Sequence, residues 1–568
     1  MESRIWHKYY DEGVTPTMEI PEVTIYWILA RAQKNYPKNP ATYFMGHVLD
    51  YTELKEEVDR MAAGLSKMGV KKGDRVAIML PNCPQSVISF YACFRLGAVA
   101  VGFNPLYVER ELTYQFNDSG SETLITLDIL WEKRVKGIMD RIPVRRVIVT
   151  NIRDYLPPLK ALFYPIAARR QGMWVTVAPD ERVTWFKDVI KKNAPMIGPE
   201  GAGHADLALL QYTGGTTGVP KGVMLTNRNI VACTVQIGSY FVNAVEGKER
   251  HISVIPAFHI YGLTMCTVMP IYQAAQIQLI PRFDVDMLLA AIPKLKPTYF
   301  CAVPTMYVGI INHPDLKKYD ISSIKGCFSG ASALPVVVMN EFERLTGGRI
   351  VEGYGLSEAA PVSHANTFFG RRKPGSVGFP IPNTDSRLVD IEDGVTPVKT
   401  GEPGEILIKG PQVTAGYWNK PEETAGVLKD GWLYTGDIGV MDEEGFFYIV
   451  DRKKDMIIAG GYNIYPREID EVLYSHPKVK DAVAVGIPDP YRGETVKAFI
   501  VLKEGQTATA DEIVAFCKKN LAVFKVPKII EFRSELPKSM IGKVLRKALR
   551  EEEMKRQEEQ PEAPPPGR

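Results

Sequence analysis

Tyr212-Thr-Gly-Gly-Thr-Thr-Gly-Val-Pro-Lys-Gly222 follows an apolar run, Leu207 to Leu210, that reads as a buried strand entering a loop. Gly214, Gly215 and Gly218 let the backbone turn tightly and present its N–H groups to an anion. Thr213, Thr216 and Thr217 add hydroxyl donors, and Lys221 adds a full positive charge at the far end. That set suits a polyphosphate. It is not a P-loop, because Pro220 stands before the lysine and the Gly-x4-Gly-Lys-Ser/Thr spacing fails. A polar turn between two strands is the plainer alternative, but two Thr-Gly units before Pro-Lys-Gly are denser than a turn requires.

On either side of this loop, helix and strand patterns alternate. Leu54, Val58, Met61, Leu65 and Met68 share one helical face with Thr52 as N-cap, and Arg75 to Leu80 then reads as a strand. A helix over Gln85–Leu96, strands at Ala98–Val101 and Thr123–Thr126, and later strands near Ile252, Thr298, Gly326 and Arg349 continue the rhythm. This predicts an α/β class with parallel-type sheets over an N-terminal domain, 1–450. From Gly375 to Val450 frequent Gly and Pro between short strands point to a small β-rich subdomain. The charged run Asp451–Asp455 marks a boundary, followed by an α+β C-terminal domain over 456–550. The tail 551–568 is charged and then Pro-rich, and is expected to be disordered. The apolar segment Tyr155–Arg170, rich in Pro and aromatics and ending on two arginines, has two readings. It either dips into an anionic membrane surface or packs on the domain as a connection.

At 568 residues, more than one core is expected. A net charge of +3 is small for that length and argues against nucleic acid as a partner. Seven scattered cysteines without a Cys-x-x-Cys pair fit reduced thiols in a cytoplasmic protein. Met1–His7 shows no secretory pattern, and the most apolar stretch, Val87–Phe103, is interrupted by Arg95 and reads as a core helix and strand.

Several remote stretches share the character of the loop. Gly353-Tyr354-Gly355-Leu-Ser357-Glu358 places a flat ring, two glycines, a hydroxyl and a carboxylate at a strand end, without the third glycine of a dinucleotide fingerprint. Tyr434-Thr-Gly-Asp437 sets a carboxylate by a glycine turn, and Arg452 and Pro537-Lys-Ser-Met-Ile-Gly-Lys543 add cations. Together and in this order, from roughly Thr24 to Arg550, these motifs resemble the adenylate-forming superfamily of acyl-CoA synthetases, adenylation domains and luciferases. Asn104-Pro-Leu-Tyr-Val-Glu-Arg-Glu-Leu112 with Asn117-Asp-Ser-Gly120 looks most like long-chain fatty acid–CoA ligases.

The resemblance implies a large N-terminal domain of several subdomains, a mobile C-terminal domain, an active site between the two domains, and two half-reactions. A fatty acid and ATP give acyl-AMP and pyrophosphate; coenzyme A then takes the acyl group and AMP leaves. An aryl-acid CoA ligase and an acyl-AMP ligase feeding a carrier protein are the alternatives within the fold. Thr213, Gly214, Gly215, Thr216, Thr217, Gly218 and Lys221 are implied to hold the triphosphate, and Glu358 to bind Mg2+ with Ser357 near the α-phosphate. Tyr354, beside Gly330, Ala331 and Ser332 and flanked by Gly353 and Gly355, would stack on adenine, while Asp437 and Arg452 hold the ribose. Lys543 would be the adenylation lysine, Lys454 the hinge, Gly460, Gly461 and Tyr462 the coenzyme A channel, and His259 a neighbour of the acyl carboxylate. Tyr261, Gly262, Val303, Pro304 and Gly330 are candidate acyl-pocket residues. A homodimer would be ordinary for such relatives. The chemistry fits the residues: an ionised carboxylate is already a nucleophile, and what it needs is alignment and neutralised phosphate charge.

Overall fold

The computed structural model describes residues 4–213, 220–459, 462–489, 492–539 and 544–559. It divides into two compact units, one of Met1–Ser386 with Ile408–Leu433 and one of Arg387–Leu407 with Tyr434–Arg568.

Among the described residues, two large sheets form the first unit. One runs Phe379–Pro380, Val362–Ala365, Arg349–Gly355, Gly326–Ser329, Tyr299–Ala302, Arg250–Ser253, Gln276–Leu279, Pro40–Phe44, His47–Asp50. Its central strands are parallel. The other runs Val183–Trp185, Arg146–Thr150, Thr123–Leu127, Arg75–Met79, Val99–Gly102, Leu207–Thr213, Lys221–Thr226, parallel except for the last pair. Thr123–Leu127 and Val99–Gly102 are buried along their whole lengths, as strands covered on both faces must be. The α/β expectation is met.

The helix Tyr51–Lys67 buries Leu54, Val58, Met61 and Leu65 as its periodicity predicts, but its N-cap is Asp50 rather than Thr52. The Asp50 carboxylate accepts from the Glu53 N–H at 2.8 Å while Glu53 accepts from the Asp50 N–H at 2.9 Å. A carboxylate at the helix N-terminus also meets the positive end of the dipole, which a threonine hydroxyl does not. Thr52 instead donates to the Pro37 carbonyl at 2.9 Å.

Two buried carboxamides tie the sheets together. Asn82 donates to the carbonyls of Ser253 at 3.1 Å and Ile255 at 3.0 Å and accepts from the Ala257 N–H at 3.0 Å. Gln211 donates to the Phe258 carbonyl at 3.0 Å. The loop leaving the strand Arg250–Ser253 is thereby held against the second sheet, where a Cβ on Gly102 would come within 2.8 Å of the Phe258 carbonyl.

In the second unit the long antiparallel pair Val479–Asp489 and Gly493–Leu502 is joined in parallel by Ile529–Phe532. Ile469, Leu473, Ala484, Ala498, Ile500 and Ile513 pack on one face, and Val485, Phe499, Leu536 and Leu549 on the other. Leu549 belongs to the helix Arg546–Glu559. The expected disorder from 551 is thus corrected as far as 559. Charge did not prevent folding there because the charges are paired: Glu553 with Lys497 at 2.6 Å, Glu552 with Arg533 at 2.8 Å, and Arg556 with Glu531 at 3.0 Å. Residues 560–568 lie outside the described residues.

Asn82→Ala would leave the Ile255 carbonyl and the Ala257 N–H without that partner in a buried site, while the Ser253 carbonyl keeps the Ile280 N–H at 2.9 Å. We expect the unfolding free energy of the first unit to fall by about 3 kcal/mol in urea denaturation; a change near zero would show that the loop holds its place without the carboxamide.

Candidate active site

In open α/β sheets ligands bind beyond the carboxyl ends of the strands. Ala302, Ser329 and Glu352 are level in the first sheet. Val303, Gly330 and Gly353 therefore emerge side by side at that edge, each leading into a stretch that the sequence singled out. Backbone approach explains two of the glycines. A Cβ on Gly353 would lie 2.3 Å from the Phe328 ring, and one on Gly355 1.8 Å from the Pro361 carbonyl oxygen. Ala331, between Gly330 and Ser332, holds a left-handed φ of 71°. That conformation costs a residue with a Cβ on the order of 1 kcal/mol and tends to persist where function over-determines the backbone.

Tyr354 projects from Arg349–Gly355 opposite His364, with ring centroids 5.6 Å apart. Burial pushes the His364 imidazole down to about 3, so the ring beneath Tyr354 is neutral. Tyr261 is a wedge: its hydroxyl donates to the Phe328 carbonyl at 2.7 Å, and its ring lies 3.4 Å from where a Gly330 Cβ would be. His259 caps Ile260–Leu263 and its Nδ1 accepts from the Tyr261 N–H at 3.2 Å. The half-exposed ring therefore has a structural task as well as any chemical one.

The glycine-rich loop leaves Leu207–Thr213 and returns as Lys221–Thr226, antiparallel, with Thr213 opposite Lys221. Gly214, Gly215, Thr216, Thr217 and Gly218 lie outside the described residues, but both ends of the loop are anchored through Asp118. Its carboxylate accepts from the Tyr212 hydroxyl at 2.6 Å and from the Tyr114 hydroxyl at 3.3 Å, and Tyr114 also donates to the Pro220 carbonyl at 2.9 Å. The Asp118 carbonyl accepts from the Trp418 indole at 3.1 Å. Burial, reinforced by Asp118, pushes the Tyr114 phenol up to about 12 and keeps it a donor.

The centre of this region is a residue that the sequence reading missed. Tyr417 is buried and bridges to Val223, and its hydroxyl donates to Glu358 Oε1 at 2.7 Å. The Lys221 ammonium stands 5.3 Å from the same ring and is ion-paired with Glu423. The backbone reinforces the link, since the Thr414 N–H donates to the Glu358 carbonyl at 2.8 Å. Tyr417 thus couples the loop lysine to the carboxylate expected at the metal. The one signal for it was the Gly-Tyr-Trp run at 416–418, which reads equally well as plain core.

Mg2+ keeps several waters and takes one or two protein carboxylates besides phosphate oxygens. Glu358 is half-buried with one oxygen oriented by Tyr417, which suits a single protein ligand of that kind. Ser357 beside it is buried.

In the second unit Asp437 and Arg452 are cross-strand partners, Asp437 Oδ1 lying 2.7 Å from Arg452 Nε. Asp437 is buried, its N–H donating to the Thr435 hydroxyl at 3.0 Å. Arg452 thus braces the carboxylate while staying partly open itself. Burial, helped by Arg452, holds the Lys454 ammonium below the ordinary lysine range, and the Arg550 guanidinium reaches the Lys454 carbonyl at 3.2 Å. Gly460, Gly461 and Lys543 lie outside the described residues, as does the side chain of Tyr462.

Comparison with known proteins bears on this arrangement. The model of the AMP-binding enzyme family matches residues 29–418, and that of the AMP-binding enzyme C-terminal domain matches residues 468–543. A long-chain-fatty-acid–CoA ligase of Bacillus subtilis (strain 168) is 48% identical over 96% of this chain and 98% of the relative. One from Escherichia coli O6:H1 is 38% identical over 97% of this chain and 98% of the relative. Among solved structures, the anthranilate CoA ligase AuaEII in complex with anthranoyl-AMP superposes with a TM-score of 0.83 at 26% identity, covering 95% of this chain and 98% of that one.

Tyr417→Phe keeps the ring under Lys221 and removes only the hydrogen bond to Glu358. A bond to a charged acceptor is worth about 1.5–3 kcal/mol, so Mg2+–ATP affinity by calorimetry should weaken about tenfold with the melting temperature unchanged. Unaltered affinity would mean that Glu358 needs no such orientation.

Proposed function

This chain belongs to the AMP-binding enzyme family, and from that premise we infer that it is a long-chain fatty acid–CoA ligase, an acid–thiol ligase that forms AMP. A fatty acid carboxylate attacks the α-phosphate of ATP, giving acyl-AMP and pyrophosphate. The thiol of coenzyme A then attacks the acyl carbon, and AMP leaves. The observation that carries this reading is the near-full-length likeness to ligases of that name.

The residues have work suited to such a sequence. Lys221 and the Thr/Gly loop bind and neutralise the departing phosphates. Tyr354 offers a flat face to adenine at the strand end, and Asp437, braced by Arg452, accepts from the ribose hydroxyls. Glu358 and the substrate's phosphates would hold Mg2+, which when bound supplies charge neutralisation at the phosphate oxygens. His259 stands by the acyl carboxylate. Lys543 is assigned the bridge between carboxylate and α-phosphate in the first half-reaction alone, and Lys454 the pivot of the C-terminal domain. No side-chain base is required, because the acid is ionised before it reacts.

Pyrophosphate release and thioester formation across medium- and long-chain fatty acids, cinnamates and benzoates, with and without coenzyme A, test the substrate. Fatty acids should be preferred by about tenfold or more, the discrimination a long apolar pocket readily supplies. Cinnamates exceeding them by that margin would move the chain to the aryl-acid ligases, and acyl-AMP accumulating with coenzyme A present would make it an acyl-AMP ligase. Lys543→Ala should lower adenylation by about a hundredfold while leaving thioester formation from supplied acyl-AMP within about threefold of wild type. Equal loss in the two assays refutes that division of labour.

A further inference from the structure

The segment from Tyr155 contains a helix, Pro158–Arg170, that is built inside out. A helix on a folded domain normally buries its large apolar side chains and turns its small and charged ones to water. Here the buried residue is Ala168, while Leu159, Leu162, Phe163 and Ile166 are 73%, 63%, 61% and 52% exposed. At about 100° per residue those four lie within one arc of about 100°, a continuous outward apolar stripe. The β-hairpin tip beside the helix extends it. Lys160 Nζ donates to the Met45 carbonyl at 2.8 Å, and Met45 and Val48 are themselves exposed.

Charge says what this face meets. Between Tyr155 and Pro179 there is no aspartate or glutamate, whereas Lys160, Arg169 and Arg170 are present. Lys133 adds a further cation nearby, its ammonium 2.9 Å from the Gly172 carbonyl. Arg169 lies over the Trp174 ring at 5.3 Å, an amphipathic pair of the kind found at the level of lipid headgroups. An outward apolar stripe on a segment whose own charges are all cations matches an anionic bilayer surface, the acids beside it being Asp128, near Tyr164, and Glu132, which pairs with Lys136. A second copy seated face to face would instead bring like charges together. No helix among the described residues is long and apolar enough to cross a membrane, so the contact is peripheral.

We propose that the outward face of Pro158–Arg170, with the Met45–Val48 hairpin, is the docking surface of this protein for an anionic lipid bilayer. The proposal stands on the surface alone and does not depend on which acid is activated. The test is co-sedimentation of the full chain with vesicles of phosphatidylglycerol or of phosphatidylcholine, at low salt and at 0.15 M salt, beside sedimentation velocity of the free protein. Wild type should partition to phosphatidylglycerol about tenfold or more above phosphatidylcholine, more weakly at higher salt. The doubles Leu162→Glu with Phe163→Glu, and Arg169→Glu with Arg170→Glu, should each lose about tenfold or more in partitioning, with melting temperature and ligase activity on a dissolved medium-chain acid without vesicles unchanged. Absence of binding at low salt, equal binding to both lipids, or variants that bind like wild type would overturn it. So would a wild-type dimer dissolved by the Leu162/Phe163 variant, which would assign the face to a second copy.

Discussion

The first unit depends on one carboxamide. Two sheets of different strand order meet where the chain leaves Arg250–Ser253; the Ser253 carbonyl has a ladder bond from the Ile280 N–H at 2.9 Å, but something outside the ladder must bind the Ile255 carbonyl and the Ala257 N–H. Asn82 does so with both ends of its amide, taking two carbonyls and one N–H. Its own position is set by Pro84, which opens the next helix two residues later. Because the loop then carries Pro256 to His259 into Ile260–Leu263, the placement of His259 and Tyr261 follows from a residue just beyond the strand Arg75–Met79 of the other sheet. Gln211 adds a second stitch from the strand that feeds the glycine-rich loop. Two candidate elements distant in sequence are thus held to one frame by hydrogen bonds in a medium where leaving them unmade is costly.

Charge in the site is held in place by its neighbours. Lys221 and Glu358 sit on either side of Tyr417, one near the face of its ring and the other at its hydroxyl. The ring separates the two charges, and the hydroxyl uses one carboxylate oxygen. Asp437 in the other unit is handled in the same manner, with Arg452 Nε fixing a buried carboxylate at 2.7 Å. In each case a neighbour holds the acid oriented before any ligand arrives.

Much of this was legible in the chain. Alternating strands and helices such as Arg75–Met79 and Tyr51–Lys67 were readable because buried parallel strands are unbroken apolar runs and an amphipathic helix carries clear periodicity. The Gly/Thr loop, Glu358 and Asp437 stood out because each is chemically conspicuous in its local sequence. Tyr417 and Asn82 were not legible, since their meaning lies wholly in partners far along the chain. A tyrosine in Gly-Tyr-Trp and an asparagine between two prolines read locally as core and turn. The helix start at Asp50 and the helix past Glu551 turned on choices between nearby polar groups and on cross-chain ion pairs, which periodicity does not weigh. For Tyr155–Arg170 the sequence showed an apolar segment but neither its helix nor the side to which its large side chains face.

On the proposed function, in which Lys221 binds the phosphates of ATP, its ion pair with Glu423 bears on how tightly a nucleotide is kept. A lysine that already has a carboxylate at rest does not capture phosphate from an empty state; it exchanges one anion for another. The gain on binding is then only the difference between two ion pairs, smaller than either alone. When pyrophosphate departs, Glu423 is at hand to take its place, so the cation is never left bare. On the reading above, the resting pair sets a ceiling on substrate affinity and lowers the barrier to product release, as a counter-ion that turns over with each catalytic cycle.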